Sequence, residues 1–224
     1  IYKIMIEKFG FKINQFKYFA GHSLGEYSAL LCSESLNFKD ALYLLRERGK
    51  AMQQAVPVGK GAMLAVLNTQ MKEIKKHISE IKKKGVCEIA NDNSDGQIIV
   101  SGNSDLIGDL QNILKINKKK SILLPVSAPF HCSLMKEASE KMRVKINTVN
   151  FNNPKLEIIS NVTASPETDK EKIKKLLVEQ IYTKVRWRES ILFMISNGID
   201  EFIEIGPGKV LSGLVRRINK DCKS

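Results

Sequence analysis

Tryptophan occurs once in this chain, and the four cysteines, Cys32, Cys87, Cys132 and Cys222, are scattered with no C-x-x-C pair. That spacing excludes a paired zinc-ligand set and a disulfide framework, and it suits a reducing compartment. No apolar run approaches the roughly 18 residues that a membrane helix needs, so a helical membrane span is excluded. Six prolines and 14 glycines are too few for a collagen-like or low-complexity chain. What remains is ordinary: 224 residues, 43% hydrophobic and 27% charged. Such a chain builds one α/β domain, or a core carrying an inserted subdomain.

Negative charge is also in short supply, with 24 acidic against 36 basic residues and a net charge of +12. Only seven of the basic residues are arginine, while Lys, Asn and Ile make up 69 of the 224 positions. An AT-rich coding genome produces that bias without selection on function, so most lysines read as solvated faces. Nucleic acid is not implied, because there is no zinc finger, RNP motif or aromatic-basic stripe. An acidic protein partner would still be drawn by the field. The chain opens on isoleucine inside a helix-like run, IYKIMIEKFG. It therefore reads as a fragment whose targeting peptide, if any, lies upstream.

The pattern predicts a short helix over about 1–9, a strand at 17–20, a helix from Leu24 to about Leu36 and another over 38–54 capped by Asn37. Residues 61–126 then read as strand 61–67, helix 71–84, strands 86–91 and 97–102, a helix capped by Ser104, and strand 121–127. The order βαββαβ is that of a ferredoxin-like unit. Beyond it the pattern gives helices over 132–145, 169–182 and 187–197, strands at 156–160 and 201–205, and a last helix after Gly206-Pro207-Gly208. Alternating strands and helices argue for a parallel sheet. The expected fold is α/β: a hydrolase-like parallel sheet core from 1–60 and 127–224, its first strand missing upstream, with a ferredoxin-like subdomain inserted at 61–126.

The strongest chemical signal is G-x-S-x-G at Gly21, Ser23 and Gly25. A hydroxyl becomes nucleophilic only when presented without crowding and deprotonated by a neighbour. A sharp strand-to-helix turn does the first, and the following helix aims its N–H groups at developing negative charge. For the base there are three histidines. His22 abuts Ser23 and points elsewhere, packing beside the site. His77 lies in a lysine-rich helix and reads as a solvated surface residue. His131, in a loop between strand and helix, is the base by elimination, with a buried core histidine as the alternative. No acid is obviously placed as third member; Asp200 and Glu204 fall on an expected strand, and any acceptor for the imidazole Nδ1 proton would serve. Arg48 and Met52 share a helix face. Arg48 is either a fork for a substrate carboxylate or an ordinary surface arginine.

GHSLGEYSAL, RGKAMQQAVP, the P-F-H at 129–131, NVTASP, VEQIYTKVRW and EIGPGKVLSGL together resemble the signature blocks of the malonyl-CoA:acyl carrier protein transacylase family of type II fatty acid synthesis, in the family's order. The resemblance implies a ping-pong transfer through a malonyl ester on Ser23. His131 would be the base, held by the backbone carbonyl of Gln180, and Arg48 would bind the malonyl carboxylate. The Leu24 N–H would be one oxyanion donor, with Met52, Phe130 and His22 shaping the acyl pocket. A family motif of G-Q-G-S-Q type, which carries the second oxyanion donor, is not in this sequence. No cofactor or metal is implied; malonyl-CoA is substrate and the phosphopantetheine thiol belongs to the acyl carrier protein. Acyl carrier proteins are acidic, and Lys209, Arg216 and Arg217 around the final helix are the candidate docking residues. A serine hydrolase or thioesterase with the same elbow, a non-catalytic carrier-docking remnant, and an acyltransferase domain of a polyketide synthase are the competing readings. A monomer is expected, without membrane or nucleic-acid partners. The Lys/Asn bias suggests an apicoplast-like plastid organelle, with bacterial cytoplasm as the alternative.

Overall fold

The computed structural model describes residues 1–81 and 84–224. The first helices are α1 (Tyr2–Lys8), α2 (Gly25–Cys32) and α3 (Phe38–Gln54), with strand β1 (Tyr18–Ala20) between α1 and α2. Asn37 caps α3 as its residue type predicts: its side-chain oxygen accepts from the Asp40 N–H at 2.9 Å. Along α3 the buried positions Ala41, Leu44, Arg48, Ala51 and Met52 form one stripe. That stripe packs on α6 (Lys136–Asn147), whose own buried face is Ala138, Ser139, Met142 and Ile146. Arg48 thus enters the interior on an otherwise apolar helix face.

The middle of the chain folds as β2 (Gly61–Leu67), α4 (Met71–Ser79), β3 (Cys87–Ser94), β4 (Gln97–Asn103), α5 (Ser104–Ile116) and β5 (Lys120–Leu123). Its four strands lie in the order β3-β4-β2-β5, and every pair is antiparallel. Alternation decides the two faces. Leu64, Val66, Ile98 and Val100 join the buried stripe of α5 (Ile107, Leu110, Leu114) and Ile74 of α4. Met63, Ala65 and Ile99 face the other way, against Ala90 and Phe130. The helix expected over 71–84 ends at Ser79; positions 82 and 83 of that expectation, and of the lysine run 82–84, lie outside the described residues. Ser104 does not cap α5 with its side chain; its hydroxyl donates to the Gly59 carbonyl at 2.6 Å and ties the helix to the preceding loop. His77 is not solvated. It follows Ile74 by one helical turn on the inward face of α4, is 5% exposed, and its Nδ1 lies 3.1 Å from Glu80.

The second half adds β6 (Glu157–Ile159), β7 (Pro166–Glu167), α7 (Lys170–Gln180), α8 (Trp187–Ser196) and α9 (Val210–Ile218). β1 pairs in parallel with β6, and β7 adds antiparallel. The strand expected over 201–205 is absent as a ladder among the described residues; Glu201 makes a single bridge to Lys223. Glu204 instead turns its carboxylate onto the start of α9, accepting from the N–H groups of Leu211 at 3.1 Å and Ser212 at 2.8 Å. An anion there satisfies helix-end donors that have no intrahelical partner.

Two clamps hold the four-stranded sheet against the rest. Asp92 of β3 receives the Arg188 guanidinium of α8 through Nε and Nη2, each 3.0 Å from a carboxylate oxygen. Next to it the backbone of Val185 exchanges hydrogen bonds with Ala90 and Asp92. On the other side, Glu88 accepts from the backbone and hydroxyl of Ser133 at 2.9 and 2.6 Å. A bidentate arginine pair fixes orientation as well as distance. The sheet is thereby set opposite the turn after β1.

Candidate active site

Ser23 sits between β1 and α2 with φ of +54°, in the left-handed region that non-glycine residues rarely adopt. Such a backbone costs on the order of 1–3 kcal/mol and persists only when its surroundings impose it. Gly21 shows how: a Cβ there would lie 2.0 Å from the Gly25 backbone, so only glycine lets the chain fold back this tightly. A Cβ on Gly25 would meet nothing, so the second glycine of the motif is not required for space. Asn161 braces the turn from the loop after β6. Its side-chain oxygen accepts from the Ser23 N–H at 2.7 Å, and its amide donates to the Gly21 carbonyl at 2.8 Å.

His131 reaches the same point from before α6. Its Nε2 is 2.7 Å from Ser23 Oγ and its Nδ1 is 2.8 Å from the backbone oxygen of Gln180. A carbonyl can only accept, so Nδ1 carries the proton and Nε2 presents a lone pair to the serine hydroxyl. The ring is 4% exposed. Burial pushes its pKa down to about 3, and the Arg48 cation works in the same direction against the Gln180 hydrogen bond. The imidazole is therefore neutral and able to accept a proton across the physiological range.

Between about pH 6.5 and 3 the unfolded chain holds a proton on this histidine and the folded one does not, so stability falls as pH drops through that window. Between pH 8 and 5 the His131 ring resonance should stay constant in an NMR titration. A midpoint near the ordinary imidazole value would mean that water reaches the ring.

Arg48 is 6% exposed and donates from Nη2 to Ser23 Oγ and to the Gln180 side-chain oxygen, both at 3.0 Å. The Tyr27 ring lies against the guanidinium, 5.9 Å from centroid to Cζ. A cation touching the hydroxyl oxygen favours the alkoxide, and the guanidinium Nε has no partner among the described residues. So Arg48 is a buried site arginine, not a surface one.

Leu24 follows the serine as the N-terminal cap of α2, and no acceptor within the protein meets its N–H among the described residues. It points from a helix start, where partial positive charge collects. His22 diverges from Ser23: its Nε2 is 2.8 Å from the Asn93 side-chain oxygen, and its ring packs edge-on to Trp187. Phe130 packs against both the main core and the face of the small sheet, at the seam between them. Met52 is buried in the main core one turn beyond Arg48. Lys209, Arg216 and Arg217 are all exposed and none contacts this group. Lys209 and Arg216 line a groove with Phe202, Ile203 and Glu204, while Arg217 donates to Gln97 at 2.7 Å.

Three participants escaped sequence reasoning. Asn161 lies in the loop after β6 and Asn93 near the end of β3, and nothing local marks either polar side chain, though both fall in or beside turn-rich stretches. Glu26 lies three residues past the serine, and a first-turn acid on a helix is common enough to pass unnoticed. It is 2% exposed and accepts from Gln180 Nε2 at 2.7 Å. Burial raises its carboxyl to about 7, against the pull of its hydrogen bonds from Gln180 and Asn161 and of the Arg48 cation.

Imidazole and guanidinium thus both lie within 3.0 Å of the Ser23 hydroxyl oxygen. The model of the acyl transferase domain family matches residues 9–223. The chain belongs to that family. It is 44% identical over 207 residues to the malonyl CoA-acyl carrier protein transacylase of Bacillus subtilis, covering 92% of this chain and 65% of that one. Against the protein of the same name from Escherichia coli strain K12 the identity is 41% over 200 residues, covering 89% and 65%. The chain thus spans about two thirds of the length of these acyltransferase relatives. The acyl-carrier-protein-S-malonyltransferase of Bartonella henselae superposes with a TM-score of 0.94 at 43% identity, over 98% of this chain and 70% of that one. A malonyl-transacylase solved in complex with a type II PKS acyl-carrier protein gives 0.94 at 37% identity, over 99% and 71%. The mixed α/β architecture is therefore that of this acyltransferase group.

Proposed function

We propose that the protein transfers the malonyl group from malonyl-CoA to the phosphopantetheine thiol of an acyl carrier protein, through an ester on Ser23, in fatty acid synthesis. The observation that carries it is a buried arginine sharing one serine oxygen with a histidine base. A general esterase has no use for a guanidinium at that point, whereas a three-carbon acyl group ending in a carboxylate does.

In the first half, the Ser23 Oγ–H proton passes to His131 Nε2 as Oγ attacks the thioester carbonyl. The Leu24 N–H receives the oxyanion, an interaction worth about 2.7–4 kcal/mol where one such donor has been removed. Collapse breaks the carbon–sulfur bond, and the imidazolium returns its proton to the CoA thiolate. In the second half, His131 takes the proton of the carrier thiol, whose sulfur attacks the Ser23 ester. The acyl carbon–Oγ bond breaks, the imidazolium returns the proton to Ser23 Oγ, and malonyl is left on the carrier. Burial of His131 keeps it neutral between steps, and the Gln180 carbonyl stabilises the imidazolium when it forms. Arg48 would keep its Nη2 contact with Gln180 and meet the malonyl carboxylate with its remaining N–H groups. A filled, salt-bridged pocket leaves no space for the water that would turn transfer into hydrolysis. Met52, Phe130 and His22 line that pocket in this reading, and the bulk of Phe130 disfavours an α-methyl branch. No bound cofactor takes part.

Residues 61–126 then act as a ferredoxin-like subdomain inserted in a hydrolase-like core of 1–60 and 127–224. The strand order β5-β2-β4-β3 with two helices on one face supports that division. The carrier protein docks on Lys209, Arg216 and Arg217; the exposure of all three and the net charge of +12 support it. Charge reversal at Arg216 and Arg217 together should raise the KM for carrier protein several-fold and leave the KM for malonyl-CoA unchanged. Equal effects on both would remove the docking role. The relatives named above with an organism are bacterial, and none supports the organellar compartment suggested by composition, so we place the protein in a bacterial cytoplasm as a monomer. No helix among the described residues is long and apolar enough to cross a membrane.

The direct test is intact-mass measurement of the protein after incubation with malonyl-CoA, followed by addition of carrier protein. A malonyl adduct on Ser23 that moves to the carrier thiol is the expected result. Release of free malonate without transfer would favour a hydrolase.

A further inference from the structure

Gln180 makes four contacts at the site, three from its side chain and one from its backbone. Its Nε2 donates to Glu26 Oε2 at 2.7 Å and to the Ser23 carbonyl at 2.9 Å. Its Oε1 accepts from Arg48 Nη2 at 3.0 Å. Its own backbone oxygen holds His131. A guanidinium only donates, so Arg48 takes the amide oxygen, and the Nε2 side then needs acceptors. The Ser23 carbonyl is one of them, and the second has to come from a side chain. Glu26 meets the requirement: an acceptor carboxylate, 2% exposed, with a second hydrogen bond from the Asn161 N–H at 3.3 Å. The charged groups facing it are Arg48 from α3 and, when ionised, Tyr27 beside it on α2.

We propose that Glu26 is a positioning residue for Arg48, acting through the Gln180 side chain, and that it thereby sets the preference for acyl groups ending in a carboxylate. This rests on the acyl-transfer reading given above. Glu26 touches neither Ser23 Oγ nor His131. It fixes the amide with its oxygen toward α3, and that oxygen keeps the guanidinium at the serine. Without a carboxylate at position 26 the Ser23 carbonyl alone holds the Nε2 side, and the amide is freer to invert and present N–H to a cation. Arg48 then withdraws from the place where a malonyl carboxylate must be met, while transfer of an acetyl group, which has no carboxylate to bind, falls far less.

The test compares malonyl and acetyl transfer from their CoA thioesters in the full chain, for the unsubstituted protein, Glu26→Gln, Glu26→Asp, Gln180→Met and the double variant Glu26→Gln/Gln180→Met. Methionine at 180 keeps the backbone carbonyl for His131 and removes the bridge. In Glu26→Gln the malonyl-to-acetyl ratio of kcat/KM should fall on the order of tenfold, mostly in the malonyl KM, as expected when one charge-assisted hydrogen bond is lost. Glu26→Asp should retain part of the ratio. In the Gln180→Met background, Glu26→Gln should change the ratio no further, because the path between them is already cut. A ratio unchanged in Glu26→Gln, or equal loss for malonyl and acetyl, or additive effects in the double variant, overturns the proposal. Should Glu26→Gln fail to melt cooperatively, Glu26→Asp carries the comparison, and an unchanged ratio there overturns it. If the unsubstituted protein forms no Ser23 malonyl adduct, the acyl-transfer reading itself has failed, which is a separate result.

Discussion

Replacing Ser23 with alanine is expected to abolish the malonyl adduct and to lower malonyl transfer by a factor on the order of 10⁴ or more. The size follows from how the site is divided. Ser23 Oγ is the one atom that both His131 Nε2 and Arg48 Nη2 reach, at 2.7 and 3.0 Å. Removing it leaves a base with nothing to deprotonate and a guanidinium with no charge to stabilise. His131→Ala should cost a similar factor, and the two together should cost little more than either alone, since groups acting as one unit are not additive. The fold should survive Ser23→Ala. The hydroxyl leaves a space no larger than an oxygen, and the alanine Cβ has the same left-handed backbone to tolerate as serine. Thermal melts that coincide with those of the unsubstituted protein, together with residual transfer near the uncatalysed rate, are the result that supports this assignment. Transfer within tenfold of normal would place the nucleophile elsewhere.

Arg48→Ala has the second largest expected effect, and it is selective. Malonyl kcat/KM should drop about 10²–10³-fold, the loss expected when one partner of a buried, hydrogen-bonded charge pair is truncated. Acetyl transfer should drop far less, and the share of acyl groups lost to water should rise, because the pocket is no longer closed by a salt bridge. Stability pulls in two directions. The guanidinium is buried and its Nε has no partner among the described residues, so removing it relieves a desolvation cost. It also leaves Gln180 Oε1 without a donor and Glu26 without its nearest cation. The carboxyl of Glu26, already near 7, should then rise further, so Arg48→Ala should be relatively more stable at pH 5 than at pH 8. The sign follows because the folded state holds a proton there that the unfolded state releases above about 4.5. Urea melts at the two pH values measure it. Equal loss of malonyl and acetyl transfer would take Arg48 out of substrate recognition.

Much of this protein is legible from local pattern. The G-x-S-x-G elbow, the Asn37 cap, the alternation of β2 and the apolar stripe of α5 each concern residues within a few positions of one another, where helix and strand periodicity dominate. The exposed serine turn followed from the motif, and its histidine neighbour from there being only three histidines. His77 went the other way. Its lysine neighbours argued for solvent, but a helix has an inward face, and the turn after Ile74 lies on it. The strand expected at 201–205 shows the same limit: apolar alternation marks a segment able to pair, and pairing needs a partner at the right distance.

What only the tertiary structure decided is the electrostatics of the serine. Sequence separations of 25 to Arg48, 108 to His131 and 138 to Asn161 collapse to hydrogen-bond distance at one turn. A carboxyl at position 26 reads as a helix-end charge until burial shows it to be the acceptor behind Gln180. The motif names a hydroxyl because backbone geometry is a local property. Whether that hydroxyl meets a neutral ring and a fixed cation depends on solvent exclusion, which is a property of everything packed around it.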